Sequence, residues 1–251
     1  MTAPASWLML RGLAREKRHF GEFPATFSRL LPGRLAFPMD LVGFGALSRE
    51  PVPWTLGEIV EELRPRFLAE RPNEGPWSIF AISLGGMVAL EWAARYPQDF
   101  ASVVVANTSA GDQSSLWQRF RPVMWPKLPG LLFGDARARE RTILEVTVNS
   151  AIDKDALAVT WCGYYHERKP SQRAFIGQMV AAARSRLPAS LQPRLLVLAS
   201  KADRLVSWRC SERIAVKLGA RLELHAEAGH DLSLDAPEWI CERIAAFHEA
   251  A

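Results

Sequence analysis

Short apolar runs alternate with longer amphipathic stretches along most of the chain. The runs are four or five residues long and predict strands at 7–10, 35–39, 78–82, 103–107, 195–199 and 222–225. Apolar residues spaced three and four apart predict helices at 56–68, 87–96 and 238–248. Strands that alternate with helices are typical of an α/β fold, in which helices flank a parallel sheet.

One interval, residues 111–192, breaks this alternation. It has no convincing strand but several helical stretches, and it is too long for a loop in a compact domain. We therefore predict a core formed by 1–110 and 193–251, with a six-stranded, mostly parallel sheet, and a helical cap or lid inserted at 111–192. Ligands bind outside the carboxyl ends of parallel strands, where an insertion between the fourth and fifth strands can cover them.

The composition narrows the class of protein. The chain has 251 residues, of which 49% are hydrophobic and 23% charged, and its net charge is +4. These values are typical of a globular protein and exclude a disordered chain. No long basic tract is present, so we expect no nucleic-acid partner. Charges or prolines interrupt every apolar run, and the N-terminus lacks a basic start, so we expect neither a membrane span nor a signal peptide.

The cysteines point to a reducing compartment. Cys162, Cys210 and Cys241 lie far apart, and their number and spacing suit neither a zinc site nor a complete set of disulfides. We therefore expect a cytoplasmic protein that holds no metal. No phosphate-binding loop is present either, so we expect a small-molecule substrate and no cofactor.

The sharpest local signal surrounds Ser83. A predicted strand runs straight into this serine, and a predicted helix follows it. A nucleophile on such a turn needs small neighbours two residues away on each side, because the strand and helix backbones nearly touch. Ala81 and Gly85 meet that need. The alternative is a packing turn of small residues without chemistry.

A serine nucleophile needs a base and an acid that orients the base. His230 lies in the loop between the last predicted strand and the last predicted helix, at the strand end where Ser83 would project. Asp203 follows the fifth strand by a few residues and is the preferred acid. Asp112, just beyond the fourth strand, is the rival. Asp231 adjoins His230, which makes a bond back to that imidazole awkward.

Ser83, Asp203 and His230 follow successive strands in that chain order, and in this the chain resembles the α/β-hydrolase superfamily. The resemblance covers nearly the whole chain. Residues 8–13 resemble the family's first strand and oxyanion loop, and 40–45 resemble the turn after the next strand. Residues 228–230 resemble its histidine loop, and 111–192 resemble its cap. It implies a catalytic triad of Ser83, Asp203 and His230. It also implies an oxyanion hole formed by the backbone N–H groups of Leu13 and Leu84.

Three features depart from the family pattern. Arg11 stands before Gly12 where the family commonly has histidine, and Ala81 stands where it commonly has glycine. Arg11 either brings a cation to the mouth of the site or forms an ion pair with a nearby acid; we favour the ion pair. Because only six residues precede the first predicted strand, we expect the two strands that open many family members to be missing.

The serine at this position argues against dehalogenase and epoxide hydrolase chemistry, since relatives with those activities use aspartate there. We expect hydrolysis of a carboxylic ester with a small or medium apolar acyl group. The alternatives are a carbon–carbon hydrolase, a lactonase, a lyase or a non-catalytic ligand-binding relative. The predicted cap is rich in aromatic residues, of which Trp161 and Tyr165 are candidates for substrate binding in an apolar acyl pocket. For any one of these residues, packing within the cap is the favoured interpretation.

The excess positive charge lies on the predicted cap. Residues 111–192 hold 12 Lys and Arg against 7 Asp and Glu. We expect this basic segment to favour anionic substrates or an acidic acyl-carrying partner, with an ordinary solvated surface as the alternative.

Overall fold

The computed structural model describes residues 6–249, except the side chains of Leu128, Leu132 and Phe133. The six strands are β1 (Ser6–Leu10), β2 (Leu35–Met39), β3 (Trp77–Ile82), β4 (Ser102–Ala106), β5 (Arg194–Ser200) and β6 (Arg221–His225). They form one sheet in the order β2-β1-β3-β4-β5-β6, and every neighbouring pair is parallel. The predicted six-stranded sheet is confirmed, and each predicted strand end is within one residue of the observed one.

The helices, in chain order, are α1 (Phe23–Leu30), α2 (Leu56–Glu70), α3 (Leu84–Arg95), α4 (Leu116–Arg119), α5 (Leu128–Phe133), α6 (Ala136–Thr147), α7 (Lys154–Glu167), α8 (Gln172–Ala183), α9 (Trp208–Leu218), α10 (Leu232–Asp235) and α11 (Pro237–Glu249). The three predicted core helices are present as α2, α3 and α11. Helix α3 begins three residues earlier than predicted, immediately after Ser83. Helices α1 and α9 were not predicted.

The four central strands β1, β3, β4 and β5 are buried on both faces of the sheet, which explains why they are largely apolar runs. The edge strands β2 and β6 are only partly buried, and β6 carries Arg221, Glu223 and His225. Leu8 and Leu10 of β1 point into one core, which α2, α3 and α9 complete. Trp7 and Met9 alternate with them and point into a second core on the other face, which α1 and α11 cover. The sheet is therefore the central layer of three, and its carboxyl edge is the part left for a site.

The segment between β4 and β5 contains α4 to α8 and, within the described residues, no strand. We call residues 111–192 the cap segment. Part of it has its own small core, formed by Leu144, Val148, Ala158 and Trp161. Helix α8 instead packs Ala174 and Ala181 into the core of the sheet. Among residues 6–249, no helix combines the length and the apolar composition that crossing a membrane requires. The division into core and cap domains stays a prediction.

Candidate active site

Ser83 is the single residue between β3 and α3, and its backbone is in an unusual conformation. Its φ is +57° and its ψ is −119°, which a non-glycine residue adopts only where its surroundings enforce it. The Ser83 N–H donates to the Ala106 carbonyl at 2.9 Å. The Ser83 carbonyl accepts from Thr108 Oγ1 at 2.7 Å. The end of β4 thus holds both backbone groups of the strained serine.

The loop after β1 lies very close to the turn at Ser83, and two glycines make this close approach possible. A Cβ on Gly85 would lie 2.5 Å from the Arg11 carbonyl oxygen and 2.8 Å from that of Leu10. A Cβ on Gly12 would lie 3.1 Å from Ser83 Cβ and 3.6 Å from Ser83 Oγ. The loop after β1 therefore passes directly over the serine.

The structure brings His230 and Asp203 together. The distance from His230 Nδ1 to Asp203 Oδ2 is 2.7 Å, and both side chains are buried. The other carboxylate oxygen, Oδ1, accepts from the backbone N–H groups of Leu205 and Val206 at 2.7 and 2.9 Å. With Nδ1 donating to the carboxylate, Nε2 carries the free lone pair that a general base needs.

The rival acids are bound elsewhere. Asp112 is exposed, and its Oδ1 accepts from the Leu187 N–H at 3.0 Å, so it serves the cap segment rather than His230. Asp231 binds Arg11. Among the described residues, no hydrogen bond joins Ser83 Oγ to His230, so the structure completes the acid–base pair but not the base–nucleophile contact. Such contacts are often loose until substrate is bound.

Arg11 forms a buried ion pair with Asp231, which confirms the ion-pair interpretation of this residue. Arg11 NH1 donates to Asp231 Oδ1 at 2.9 Å and to Ser233 Oγ at 2.9 Å, and Arg11 NH2 donates to Asp231 Oδ2. Burial alone would raise the pKa of the Asp231 carboxyl, but the charge and hydrogen bonds of Arg11 outweigh it and lower that pKa. The pair joins the loop over Ser83 to the loop that carries His230.

Asn107 is a site residue that the sequence analysis did not identify. It directly follows β4 with φ +48°, and it is buried. Its Nδ2 donates to the His230 carbonyl at 2.9 Å and to the Gly229 carbonyl at 3.2 Å. Its Oδ1 accepts from the Ser200 N–H at 2.8 Å. One side chain therefore fixes the histidine loop to the end of β5. An asparagine at a strand end, a residue that tolerates positive φ, was the available signal.

The candidate oxyanion donors occupy suitable positions. Leu84 is the first residue of α3, where backbone N–H groups lack partners within the helix. Leu13 follows Gly12 in the loop over Ser83. Within residues 6–249, neither of these two N–H groups donates a hydrogen bond, so both remain available to an oxygen of the substrate. Their role stays a prediction.

The two candidate substrate-binding aromatics both lie on α7 of the cap segment. Trp161 is buried in the small core of the cap segment, and its ring meets His19 edge-on at a centroid distance of 4.6 Å. Tyr165 lines a cleft of about 760 Å³ with residues 48–52 and 169–174. Neither placement adds support for substrate binding. In the part of the chain that is described, no three His, Cys, Asp or Glu residues are grouped to bind a metal.

The chain is similar to known proteins in sequence and in fold. A model of the alpha/beta hydrolase family matches residues 7–243. One similar solved structure is the enol-lactonase of Burkholderia xenovorans LB400, with TM-score 0.75 and 15% identity over 98% of this chain and 92% of that chain. Another is a hydrolase from Pseudomonas aeruginosa PA01, with TM-score 0.73 and 19% identity over 98% of this chain and 91% of that one.

A third similar structure is the RedJ thioesterase from the prodiginine biosynthetic pathway of Streptomyces coelicolor. Its TM-score is 0.64 and its identity 14%, over 98% of this chain and 90% of that chain. No curated protein matches the sequence. At such low identities the likeness extends to the fold alone.

Proposed function

This chain belongs to the alpha/beta hydrolase family, and from that premise we propose that it is a serine hydrolase that cleaves a carboxylic ester of a small or medium apolar acyl group. The observation that carries the proposal is the strained turn at Ser83. A non-glycine residue at φ +57°, between a buried strand and a helix and beneath a glycine loop, is the arrangement that exposes a nucleophilic hydroxyl.

In the proposed mechanism, Ser83 Oγ attacks the ester carbonyl while His230 Nε2 accepts its proton. Asp203 keeps the His230 Nδ1 proton in place and stabilises the imidazolium that forms. His230 then gives the proton to the leaving alcohol, which departs and leaves an acyl group on Ser83. A water, deprotonated by His230, then attacks the acyl carbonyl. The bond to Ser83 Oγ breaks, His230 returns the proton to Ser83 Oγ, and the acid is released. The N–H groups of Leu13 and Leu84 bind the carbonyl oxygen as it becomes negative, each contributing about 3 kcal/mol.

The test is labelling and turnover of the purified protein. A fluorophosphonate probe should label Ser83, and the protein should release p-nitrophenol from short acyl esters; Ser83→Ala should abolish both. Ser28→Ala, a change of the same kind on the exposed side of α1, is the matched control and should leave both unchanged. Undiminished turnover in Ser83→Ala would overturn the proposal.

A substrate panel separates the alternatives within the same fold. Lactones, thioesters and substrates with a cleavable carbon–carbon bond should each be turned over more slowly than short esters if the proposal is right. Failure of the wild-type protein to label with the probe would favour a non-catalytic ligand-binding relative.

We also propose that the cap segment attracts anionic substrates or an acidic acyl-carrying partner. Three cations of the cap segment, Lys127, Arg141 and Lys154, line a cleft of about 390 Å³ together with Arg204 of the core. The one acid that lines the cleft, Glu145, forms ion pairs with Lys127 and Arg141. Clustered cations raise the association rate of anions, and salt screens the effect.

Turnover of an anionic ester should therefore fall more steeply with salt than turnover of a neutral ester. Lys127→Gln should reduce that difference. Lys217→Gln, on the exposed surface of α9, should not. Equal salt dependence for the two esters would refute the steering.

The cytoplasmic location is part of the same proposal. Cys162, Cys210 and Cys241 are all free thiols in the structure, as expected in a reducing compartment. Fractionation of the source cells should place the protein with the cytoplasmic markers.

A further inference from the structure

The loop over Ser83 contains a second strained residue. We call residues 11–16 the oxyanion loop, because it carries Leu13. Ala14, the next residue, has φ +57°, a conformation that glycine adopts freely and alanine does not. Left to itself, a loop with Gly12 on one side and a strained alanine on the other would relax to several conformations, and the direction of the Leu13 N–H would change among them.

A buried amide from the cap segment holds this strained residue. Gln178 lies on α8 and is fully buried. Its Oε1 accepts from the Ala14 N–H at 3.0 Å, and its Nε2 donates to the Val42 carbonyl at 3.2 Å. Both ends of the amide are therefore used, and the side chain bridges the loops that follow β1 and β2. A buried amide is costly unless it is bonded in this way, so its position is well defined.

The residue after Ala14 is also held by the cap segment. Arg15 NH1 and NH2 donate to the Glu140 carboxylate on α6 at 2.5 and 3.2 Å, and both side chains are buried. The Arg15 guanidinium also lies 5.3 Å from the ring centroid of Trp161 on α7. Helices of the cap segment thus fix two consecutive residues immediately after Leu13.

We propose that Gln178 is a positioning residue that sets the oxyanion hole from the cap segment. In this proposal its bond to Ala14 keeps the backbone next to Leu13 in the conformation that the proposed oxyanion hole requires, and the Arg15–Glu140 pair supports the same loop. The inference rests on the proposed function, since it concerns the donor that the proposed mechanism uses. In the proposed mechanism, Gln178 contacts no reacting atom.

This role has a kinetic consequence that simple structural support does not. A misplaced oxyanion donor weakens binding of the transition state and leaves binding of the neutral ester almost unchanged. Loss of Gln178 should therefore lower kcat and leave KM nearly constant. Displacement of a donor by a fraction of an ångström is worth about tenfold in rate.

The experiment compares Gln178→Met with Gln118→Met. Gln118, on α4, also joins the cap segment to the core, because its Oε1 accepts from Arg213 NH1 at 2.5 Å, but it does not touch the oxyanion loop. With p-nitrophenyl butyrate, Gln178→Met should lower kcat about tenfold with KM changed less than about twofold, while Gln118→Met changes neither. Equal losses in the two variants, or a loss in KM alone, would overturn the inference.

A trifluoromethyl ketone gives an independent readout. It adds reversibly to Ser83 Oγ, and the resulting oxyanion occupies the proposed hole. Its inhibition constant should rise in Gln178→Met by the factor by which kcat/KM falls. Gln178→Glu keeps an oxygen that accepts from the Ala14 N–H. Burial favours its protonated form, whose O–H still donates to the Val42 carbonyl, so kcat should stay within about threefold of wild type. An unchanged inhibition constant in Gln178→Met would contradict the role.

Three further outcomes are decisive. If Gln178→Met does not fold, Glu140→Gln loosens the same loop through Arg15 and should lower kcat with little change in KM; an unchanged kcat there would overturn the inference. If the wild-type protein neither labels nor turns over esters, the proposed function fails and this inference with it. An active wild type with a fully active Gln178→Met refutes the positioning role alone.

Discussion

The buried ion pair between Arg11 and Asp231 should make a large contribution to stability. The two side chains are only 4% and 5% exposed, so solvent screens their charges little. In Asp231→Asn, the Arg11 guanidinium stays buried and loses its counter-charge, while the shape of the site is kept. Removing one member of such a pair costs about 3–5 kcal/mol, a large share of the 5–15 kcal/mol that stabilises a typical domain.

Urea unfolding followed by circular dichroism measures this loss. With a denaturant slope of about 3 kcal/mol/M, a loss of 3–5 kcal/mol lowers the midpoint by about 1–1.7 M. Glu223→Gln is the control: it breaks the partly exposed pair with Arg221 and should cost less than about 1 kcal/mol. An equal and small midpoint shift in both variants would refute the reasoning.

The double variant Arg11→Met with Asp231→Leu tests the cause. It removes both charges and fills the space with apolar atoms, so it should recover much of the stability lost in Asp231→Asn. If the double variant is less stable than Asp231→Asn, the loss comes from packing or hydrogen bonding rather than from the unpaired charge.

The same pair makes a prediction about pH. The pKa of Asp231 is lower in the folded protein than in the unfolded chain, so the folded state favours the charged form. Its contribution to stability is complete above the unfolded pKa of about 3.9 and is lost as pH falls through the folded pKa. Asp231→Asn should therefore flatten the stability profile at acid pH, and an unchanged acid limb would contradict this assignment.

Three further substitutions, one of them with a matched control, test other contacts. Gly85→Ala should lower the free energy of unfolding by more than about 2 kcal/mol, because the new Cβ meets two backbone oxygens. Gly163→Ala, which places a Cβ in open space on α7, is the control and should raise the free energy of unfolding by up to about 1 kcal/mol. Urea unfolding measures both changes. Asn107→Ala should reduce kcat and lower the urea midpoint, because the histidine loop loses its bonds to this side chain; activity equal to wild type would refute that role. Burial and nearby arginines lower the pKa of His248 to about 4, so the contribution of this histidine to stability is full above about pH 6.5 and is lost toward pH 4. His248→Phe keeps an aromatic ring against Trp7 and should remove that part of the dependence of the free energy of unfolding on pH.

Much of the fold could be predicted because the central strands of the sheet are buried on both faces. A strand that faces two cores is a largely apolar run, and the central strands β1, β3, β4 and β5 were visible as such. The edge strands β2 and β6 are only partly buried, and β6 was predicted although it carries Glu223 and His225. Helix α9 was missed although Cys210, Ile214 and Ala215 form a buried face with charged residues opposite, which is the pattern of an amphipathic helix, so that signal was available in the sequence. Helix α1 is eight residues long with a proline at its start, too short for its periodicity to stand out.

Some residues of the site could be predicted from local sequence, whereas the contacts that hold them join residues far apart in the chain. Ser83 could be identified because the turn it needs is encoded by its immediate neighbours, and the strand-end positions of Asp203 and His230 follow from the topology. The contacts that hold these residues link distant parts of the chain: 164 positions separate Ala14 from Gln178, and 125 separate Arg15 from Glu140. No local pattern predicts such a pairing, because it depends on how the helices of the cap segment pack over the sheet.

The position of Arg11 bears directly on substrate charge. Its guanidinium is paired with Asp231 and hydrogen-bonded to Ser233, and its side chain is almost fully buried. The Asp231 charge cancels that of Arg11 at short range, so this arginine offers no net attraction to an anionic substrate near Ser83. Any preference for anions must then come from the cations of the cap segment, and it should survive the Arg11→Met, Asp231→Leu double variant. Loss of salt-dependent turnover in that variant would instead place the steering charge at Arg11.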